Sequence, residues 1–436
     1  GGAGERRLAS FMRRHILDGR RRDGSCRVAV RWKPVTTSPD NPPASPLAPE
    51  PASTAAVLRG LVLPLYLPGF MILIGQGMYA LTVPFYADEF GVSFILINVA
   101  IMLTPFGNLV GNLPAGYLLS RMVPWKVMIL GSSILGLSSI ATGVLDAYPA
   151  LLALRFVGGF GLALAFLSRY TFVAETVPAI HRGRASAMFG GTMRLGLFTG
   201  PMLGGFVGNR FGLLATFHVA GVLALLAAAL MLVIDEPPHP QNGRERRSGM
   251  FGLGALHLFR TRAVLAACSA QIVGQLIRAA RLSIVPLFAA VVLELDLATA
   301  GLIIGVSGAV DMAMFPISGY VMDRFGRRYN SIPSFSLMAV GMVVLALASN
   351  AEMLWVAALM LGLGNGLGSG FMMTLGADLA PEGSKGEFLG LWRFIGNFGN
   401  SSGPLFVGAV ADLVGLNLAA AMAAGFGGAA VVVLGL

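Results

Sequence analysis

Residues Gly319–Arg328 read GYVMDRFGRR, four charged side chains within ten residues. The flanking stretches are nearly free of charge. From Thr299 to Met322 the only charged residue is Asp311, and from Tyr329 to Ala351 there is no Asp, Glu, Lys or Arg. A helix that crosses a bilayer needs about 20 mostly apolar residues, and both flanks have that length. The charged knot is therefore a short loop at a membrane surface, joining two spans. Gly-Tyr also occurs at Gly116-Tyr117, 203 residues earlier, and Arg121 precedes Arg324 by the same interval. A loop that recurs at a fixed distance points to an internally repeated chain.

Composition agrees. The 436 residues are 55% hydrophobic and 12% charged, with mean hydropathy +0.74, where soluble domains carry about 25% charged residues. Charge-free windows of spanning length include Gly60–Ala87, Phe90–Ser120, Phe211–Ile234 and Leu413–Leu436. Backbone polar groups in lipid have no water to bond, so each window must be helical. The expected fold class is an all-α membrane protein of twelve transmembrane helices, at 61–85, 94–119, 127–146, 149–175, 185–208, 212–234, 263–291, 299–321, 331–350, 353–377, 387–411 and 415–436. The polar segment 236–262 is read as a linker between a six-helix bundle at 59–235 and another at 263–436.

The chain opens on Gly1, as a fragment or a processed form does. Residues 1–58 form an Arg-rich and then Pro-rich tail. Two readings stand for it: a disordered, solvated tail, or a targeting or membrane-surface segment, since Leu8, Phe11, Met12 and Ile16 fall at helical spacing between arginines. The net charge of +10 does not call for nucleic acid. Much of it lies in this tail and in short loops, where it sets topology. The loops after spans two, four, six, eight and ten together hold thirteen Lys and Arg, the opposite loops only Arg210. The positive-inside rule then places both termini in the cytoplasm.

Two cysteines, Cys26 and Cys268, make neither a disulfide framework nor a thiolate metal cage. There is no Walker loop and no HExxH motif, so no enzyme, metal or cofactor is expected. The expected partners are a small-molecule solute, protons and the lipid bilayer, with the chain acting as a monomer.

Sliding the second half back by 203 residues places Gly319-Tyr320 on Gly116-Tyr117, Asp378 on Glu175, Pro381 on Pro178, Gly386 on Gly183, Gly399 on Gly196, Gly403-Pro404 on Gly200-Pro201 and Gly408 on Gly205. One offset across so many positions marks two parallel six-helix repeats. The motifs themselves resemble the major facilitator superfamily over most of residues 60–436. GYVMDRFGRR looks like that superfamily's loop motif, complete here at Gly319, Asp323, Arg324, Gly326, Arg327 and Arg328. Its first copy, GYLLSRMVPWK, keeps Gly116 and Arg121 but has Ser120 in place of the acid and Val123 in place of the second glycine. RFVGGFG, starting at Arg155, resembles the fourth-helix motif of proton-coupled members. GLFTGPMLGG, with Gly196, Gly200, Pro201, Gly204 and Gly205, is similar to the fifth-helix motif of drug:proton antiporters.

The resemblance implies two bundles that rock about a central site, with the loop motif as a cytoplasmic latch. Gly319 would let a helix end approach another backbone closely. Asp323 would face the positive N-terminal end of the fifth span, near Gly183-Arg184. Gly196, Gly200 and Gly204 recur every four residues, a flat face for close packing, and Pro201 removes a backbone bond. A bent, glycine-faced fifth helix is expected across the bundle interface.

Six arginines lie within spans: Arg155, Arg169, Arg194, Arg278, Arg281 and Arg393. Asp311 is the acid nearest a span centre. Intramembrane charges are costly and face a cavity or a partner. Arg278 and Arg281 are three apart on one helix face, so one should pair with Asp311 and the other face the solute. Arg169 and Arg393, nearer the helix ends, have snorkelling as an alternative. His218 is either a proton carrier or a hydrogen-bonded packing residue. Six arginines against one central acid favour an anionic or amphiphilic solute. The functional reading is a proton-coupled secondary transporter, antiport favoured. An uncoupled facilitator and a non-transporting sensor of the same fold are its competitors.

Overall fold

The computed structural model describes residues 54–234, 262–380 and 385–435. The tail before residue 54, the divide at 235–261 and Pro381 lie outside them.

Twelve membrane helices follow in order: α1 Leu67–Asp88, α2 Phe94–Arg121, α3 Pro124–Val144, α4 Tyr148–Thr176, α5 Ala179–Phe211, α6 Leu213–Val233, α7 Arg262–Leu287, α8 Leu297–Phe325, α9 Arg327–Ala346, α10 Ala351–Leu367 continued as Phe371–Leu379, α11 Lys385–Val414 and α12 Leu416–Gly435. A short helix, Thr54–Gly60, and a π-helical turn, Val62–Tyr66, lead into α1; a second π-helical turn, Phe288–Val292, extends α7. Ten of the helices are long and apolar enough to cross a membrane by themselves. The other two, α5 and α11, span 33 and 30 residues and are less apolar. Both line the central cavity described below, where a helix need not be greasy all round.

The ends obey local chemistry. Pro124 and Pro149 stand at the first turns of α3 and α4, where their missing N–H costs nothing. Asp296 caps α8 by accepting from Thr299 N at 3.0 Å, and Asn350 caps α10 by accepting from Met353 N at 2.9 Å. The α8–α9 corner turns on Gly326 at φ +93°, a backbone conformation that L side chains avoid. That requirement explains the second glycine of the loop motif. At its repeat position Val123 has φ −64°, so the α2–α3 corner is an ordinary extended turn that needs no glycine.

α10 breaks at Gly368–Gly370, with Gly370 at φ +81°. The freed backbone groups find side chains, as a break at membrane depth requires. Arg278 Nη2 donates to Gly368 O at 2.9 Å, and Ser318 Oγ donates to Ser369 O at 2.9 Å.

Helices α1–α6 and α7–α12 form the two bundles, and they meet through α2 against α11 and α5 against α8, with α1 and α7 crossing between them. The contact obeys the repeat. The Gly205 backbone lies on Leu297 and Gly301 at the start of α8; 203 residues on, Gly408 lies on Phe94, Ile95 and Asn98 at the start of α2. Asp412 at the end of α11 accepts from Phe94 N at 2.7 Å and Ile95 N at 3.0 Å. Asn98 of α2 also bonds Ser283 of α7. All these contacts lie at the membrane face opposite the loop motif. Among the described residues the bundles are parted at the motif face: a Cβ built on Gly116, Gly183, Gly190 or Gly319 meets nothing within 4 Å.

Candidate functional site

Between the bundles lies a cavity in two lobes that share Ala80, Met193, Leu197 and Leu282 on their walls. One lobe, of about 530 Å³, is set between α5, α7, α8 and α10; the other, of about 740 Å³, between α1, α2, α4, α5 and α11. Both fall in the range of small-molecule sites.

The first lobe is built around Asp311. Its Oδ1 lies 3.4 Å from Arg194 Nη1 on α5, and its Oδ2 lies 3.6 Å from Arg281 Nη2 on α7. Asn365 Nδ2 of α10 donates to the same carboxylate at 2.5 Å. Arg194 is further held by Ser369 Oγ at 3.2 Å and by the Phe315 ring, 4.4 Å beneath its guanidinium. Arg281 Nη1 donates to Leu361 O at 3.1 Å. One carboxylate thus ties two arginines from different bundles. The pairing expected of Asp311 with α7 is present through Arg281. The arm to Arg194 was not expected, because a sequence does not say which helices of two bundles face each other.

Arg278 corrects the expectation for the second arginine. It caps the broken α10 and stacks over Phe335 at 5.5 Å, and it does not line the cavity. Three residues on a helix leave the two side chains about 60° apart round the axis and about 4.5 Å apart along it; Arg281 reaches the lobe and Arg278 the break in α10.

The second lobe holds Arg155 and Arg393, with Asn108, Asn112, Asn397 and Asn400, and among the described residues no carboxylate lines it. Arg155 is 8% exposed, and its guanidinium lies 4.2 Å over the Tyr79 ring. Here too the repeat is informative. The counterpart of Asp311 is Asn108, and that of Arg194 is Asn397. The ion pair of one lobe is a pair of amides in the other.

Arg169 does not reach either lobe. It is wholly buried inside the first bundle, and none of its three side-chain nitrogens has a hydrogen-bond partner among the described residues. Snorkelling does not describe it. His218 is a packing residue in this state: its Nδ1–H donates to Leu214 O at 2.8 Å, and the ring fills the space a side chain at Gly143 would take.

The loop-motif residues depart from the expected latch. Asp323 is exposed, with no partner among the described residues, and Gly319 approaches no other backbone. The parted bundles remove the helix end that Asp323 was expected to face. Arg327 instead pairs with Asp378 at the end of α10, Arg328 Nη2 donates to Gly435 O at 2.6 Å, and Arg324 Nη1 donates to the Tyr320 hydroxyl at 2.5 Å. Arg121 stacks on Tyr117, 4.5 Å from the ring centre. The contact of charge with helix start is found at the opposite face, in Asp412 and α2. Only an acid closing a span next to Gly408, the repeat mate of Gly205, signalled it in the sequence.

The fifth-helix motif also divides differently from expectation. Gly196, Gly200 and Gly204 pack on Leu73, Gly77 and Met78 of α1, within one bundle. Gly205 and the Pro201 carbonyl reach across to Leu297 and Gly301 of α8, and Phe198 and Met202 lie against Gly305 and Gly308 of the same helix. The glycine face serves the bundle, and its last residue serves the interface.

Comparison with known proteins follows the same lines. An uncharacterized MFS-type transporter of Methanocaldococcus jannaschii is 20% identical over 81% of this chain and 91% of its own. The MFS-type transporter YttB of Bacillus subtilis is 22% identical over 78% and 85%. Among solved structures, the nucleoside transporter NupG superposes with a TM-score of 0.72 at 12% identity, covering 86% of this chain and 98% of that one. A bacterial homolog of the human lysosomal transporter Spinster, inward-facing and unoccupied, gives 0.68 at 16% identity, covering 86% and 95%. The model of the Major Facilitator Superfamily matches residues 65–404. With twelve helices in two repeated bundles around a central cavity, the chain is a multi-pass membrane transporter of the major facilitator superfamily.

Proposed function

We propose that the chain is a proton-coupled secondary transporter that moves a small anionic or amphiphilic organic solute by alternating access, as a monomer with both termini cytoplasmic. With that orientation the parted face opens to the cytoplasm and the face closed by Asp412, Gly205 and Gly408 looks outward. The observation that carries the coupling is Asp311 held between Arg194 and Arg281. A proton on Asp311 cancels the charge that ties α5 to α8. The groups facing it are Arg194, Arg281 and Asn365, with Arg278 close enough to feel its charge, so its protonation frees two cations, and no other acid among the described residues of that lobe takes them.

The similarity of GLFTGPMLGG to the motif of drug:proton antiporters favours exchange of solute for proton. The triad favours the opposite sense for an anion. Protonating Asp311 leaves Arg194 and Arg281 unneutralised and makes the cavity more positive, which favours an anion bound at the same time, so proton and solute travel together.

The test is solute-evoked proton movement in proteoliposomes holding the purified chain, with a pH-sensitive dye inside and a panel of organic acids, amines and neutral solutes outside. Exchange drives protons against the solute; co-transport moves them with it. Asp311→Asn should keep solute binding and flatten the pH dependence of flux. A full wild-type pH profile in that variant makes Asp311 a structural counter-ion and ends the coupling role. Solute flux indifferent to a pH gradient would instead mark an uncoupled facilitator, and no flux for any solute a sensor.

A further inference from the structure

The second lobe contains an unanswered set of donors. Arg155 is more than nine-tenths buried, and its Nε has no partner among the described residues. Gln76 Nε2, on the wall of the same lobe, is enclosed and equally without a partner. Leaving such donors unpaired costs free energy, and a buried charge without a counter-ion costs more. Among the described residues no Asp or Glu lines the lobe, and the repeat position that carries Asp311 in the other half carries Asn108 here.

The arginine is also held rigidly. Its guanidinium rests on the Tyr79 ring, which itself stacks on Phe217 with ring centres 5.6 Å apart. Thr104 Oγ1 donates to the Arg155 carbonyl at 3.3 Å, fixing α4 against α2 at that level. The two unpartnered nitrogens are themselves enclosed, but the Arg155 side chain lines the lobe, and a guanidinium fixed in place without a carboxylate beside it has the form of an anion site. Across the lobe, Arg393 of α11 adds a second positive charge from the opposite bundle. Beside the asparagines the wall has an apolar part, with Phe166, Leu162 and Leu109 in this lobe and Met193, Leu197 and Leu282 leading to the next.

We infer that Arg155, with Gln76, is the docking site for the anionic group of the solute, that Arg393 closes over it from the other bundle, and that the solute's apolar body extends past Met193, Leu197 and Leu282. The ligand class is an amphiphilic organic anion with a carboxylate, sulfonate or phosphate head. The inference rests on the reading of the cavity as a solute path, and it separates two tasks: Asp311 with its two arginines answers to protons, and Arg155 answers to the solute's charge.

The test measures binding without transport. The purified full chain is titrated with three probes that share one apolar body, 2-naphthoate, 2-naphthamide and 2-naphthylmethylammonium, by equilibrium dialysis. The expected result is at least tenfold tighter binding of the anion than of the neutral or cationic twin. Arg155→Gln should abolish that preference, and Arg155→Lys should keep part of it, since an ammonium retains the charge but loses the planar fork. Arg393→Gln should weaken the anion less than Arg155→Gln does. Equal binding of the three probes, no binding of the anion, or an anion preference that survives Arg155→Gln overturns the inference. The two readings fail separately. Anion binding that depends on Arg155 without any pH-driven flux leaves the docking site standing and removes the coupled transporter. Coupled flux with an anion preference indifferent to Arg155 does the reverse.

Discussion

Replacing Gly301 by alanine should shift this protein away from the arrangement seen here, and the size of the shift follows from one contact. A Cβ on Gly301 would stand 3.0 Å from Gly205 Cα and inside the contact distance of the Pro201 carbonyl oxygen. Both neighbours are backbone, so no side chain can turn away; α5 and α8 must separate by roughly an ångström for ordinary van der Waals contact. Overpacking of this kind costs about 1–3 kcal/mol. The cost falls only on the state in which the ends of α5 and α8 away from the loop motif, the outer ends in the proposed orientation, touch. At about 1.4 kcal/mol per tenfold, the balance between this state and one with the outer face parted should move by about 5- to 150-fold. Gly200→Ala is the control. Its Cβ would stand 2.5 Å from Gly77 Cα, but α1 and α5 belong to one bundle and stay together in both states. That variant should lower the thermal midpoint and leave the balance alone. The assay is a pair of nitroxide distance measurements across the bundles, between exposed Arg210 and Leu302 at the outer end and between exposed Met188 and Phe325 at the inner end. Gly301→Ala should lengthen the outer distance and shorten the inner one. If both distances stay at wild-type values in a folded Gly301→Ala protein, the contact does not discriminate between states and the argument fails.

Asp412→Asn removes the carboxylate that accepts from the first two amides of α2; a charge at a helix start contributes about 0.3–1 kcal/mol, so the same outer distance should broaden by a smaller amount than in Gly301→Ala, and no broadening counts against the outer latch. Arg169→Met replaces a buried guanidinium without partners by an apolar side chain of similar length, a change that stabilises by about 1–4 kcal/mol where it has been made to buried ion groups. The thermal midpoint should therefore rise, and a fall would show that Arg169 has partners in the membrane that its surroundings here do not reveal. Burial, and then the nearby Asp146 and Asp88, pushes Glu89 above the ordinary carboxylate range. Such a group favours the folded chain when protonated, and that contribution is lost as pH rises through its folded value. Glu89→Gln should raise the midpoint at neutral pH and leave it unchanged below the ordinary glutamate range, a pattern that equal shifts at both pH values would contradict.

The sequence showed most where physics is local. The offset of 203 residues foretold the symmetry of the bundle contacts down to Gly205 and Gly408, because a repeated backbone must meet its neighbour in repeated ways. Span ends were legible within a few residues, except that α5 begins at Ala179 rather than 185, where the Arg-bearing turn HRGR continues the helix beyond its apolar part. The break in α10 was not read, although GLGSG holds it, since a charge-free window looks continuous to hydropathy whether or not a glycine turns within it. Side-chain partners across the bundles were the least legible. Arg194 and Asp311 are 117 residues apart, and nothing in their spacing sets α5 against α8. The state of the molecule was equally hidden. Asp323 and Gly319 carry the complete motif yet stand free, because a motif records what a residue can meet over a cycle and a structure records one station of it.

The two halves keep one backbone plan but carry different electrical loads. On the α5–α8 side the repeat positions hold Arg194 and Asp311; on the α2–α11 side they hold Asn397 and Asn108. A rocking motion about the axis between the bundles strains both interfaces alike, since Gly205 on α8 and Gly408 on α2 are equivalent contacts. Among the described residues, only the α5–α8 interface sets a carboxylate, Asp311, between arginines of both bundles. In the proposed cycle the proton therefore acts at the Asp311 triad, while the amide pair on the other side leaves Arg155 without a carboxylate among the described residues that line its lobe. A carboxylate at position 108 would remove that asymmetry by supplying Arg155 with a partner of its own, as Asp311 supplies Arg281. Asn108→Asp is therefore the substitution by which this chain would lose its anion while keeping its proton.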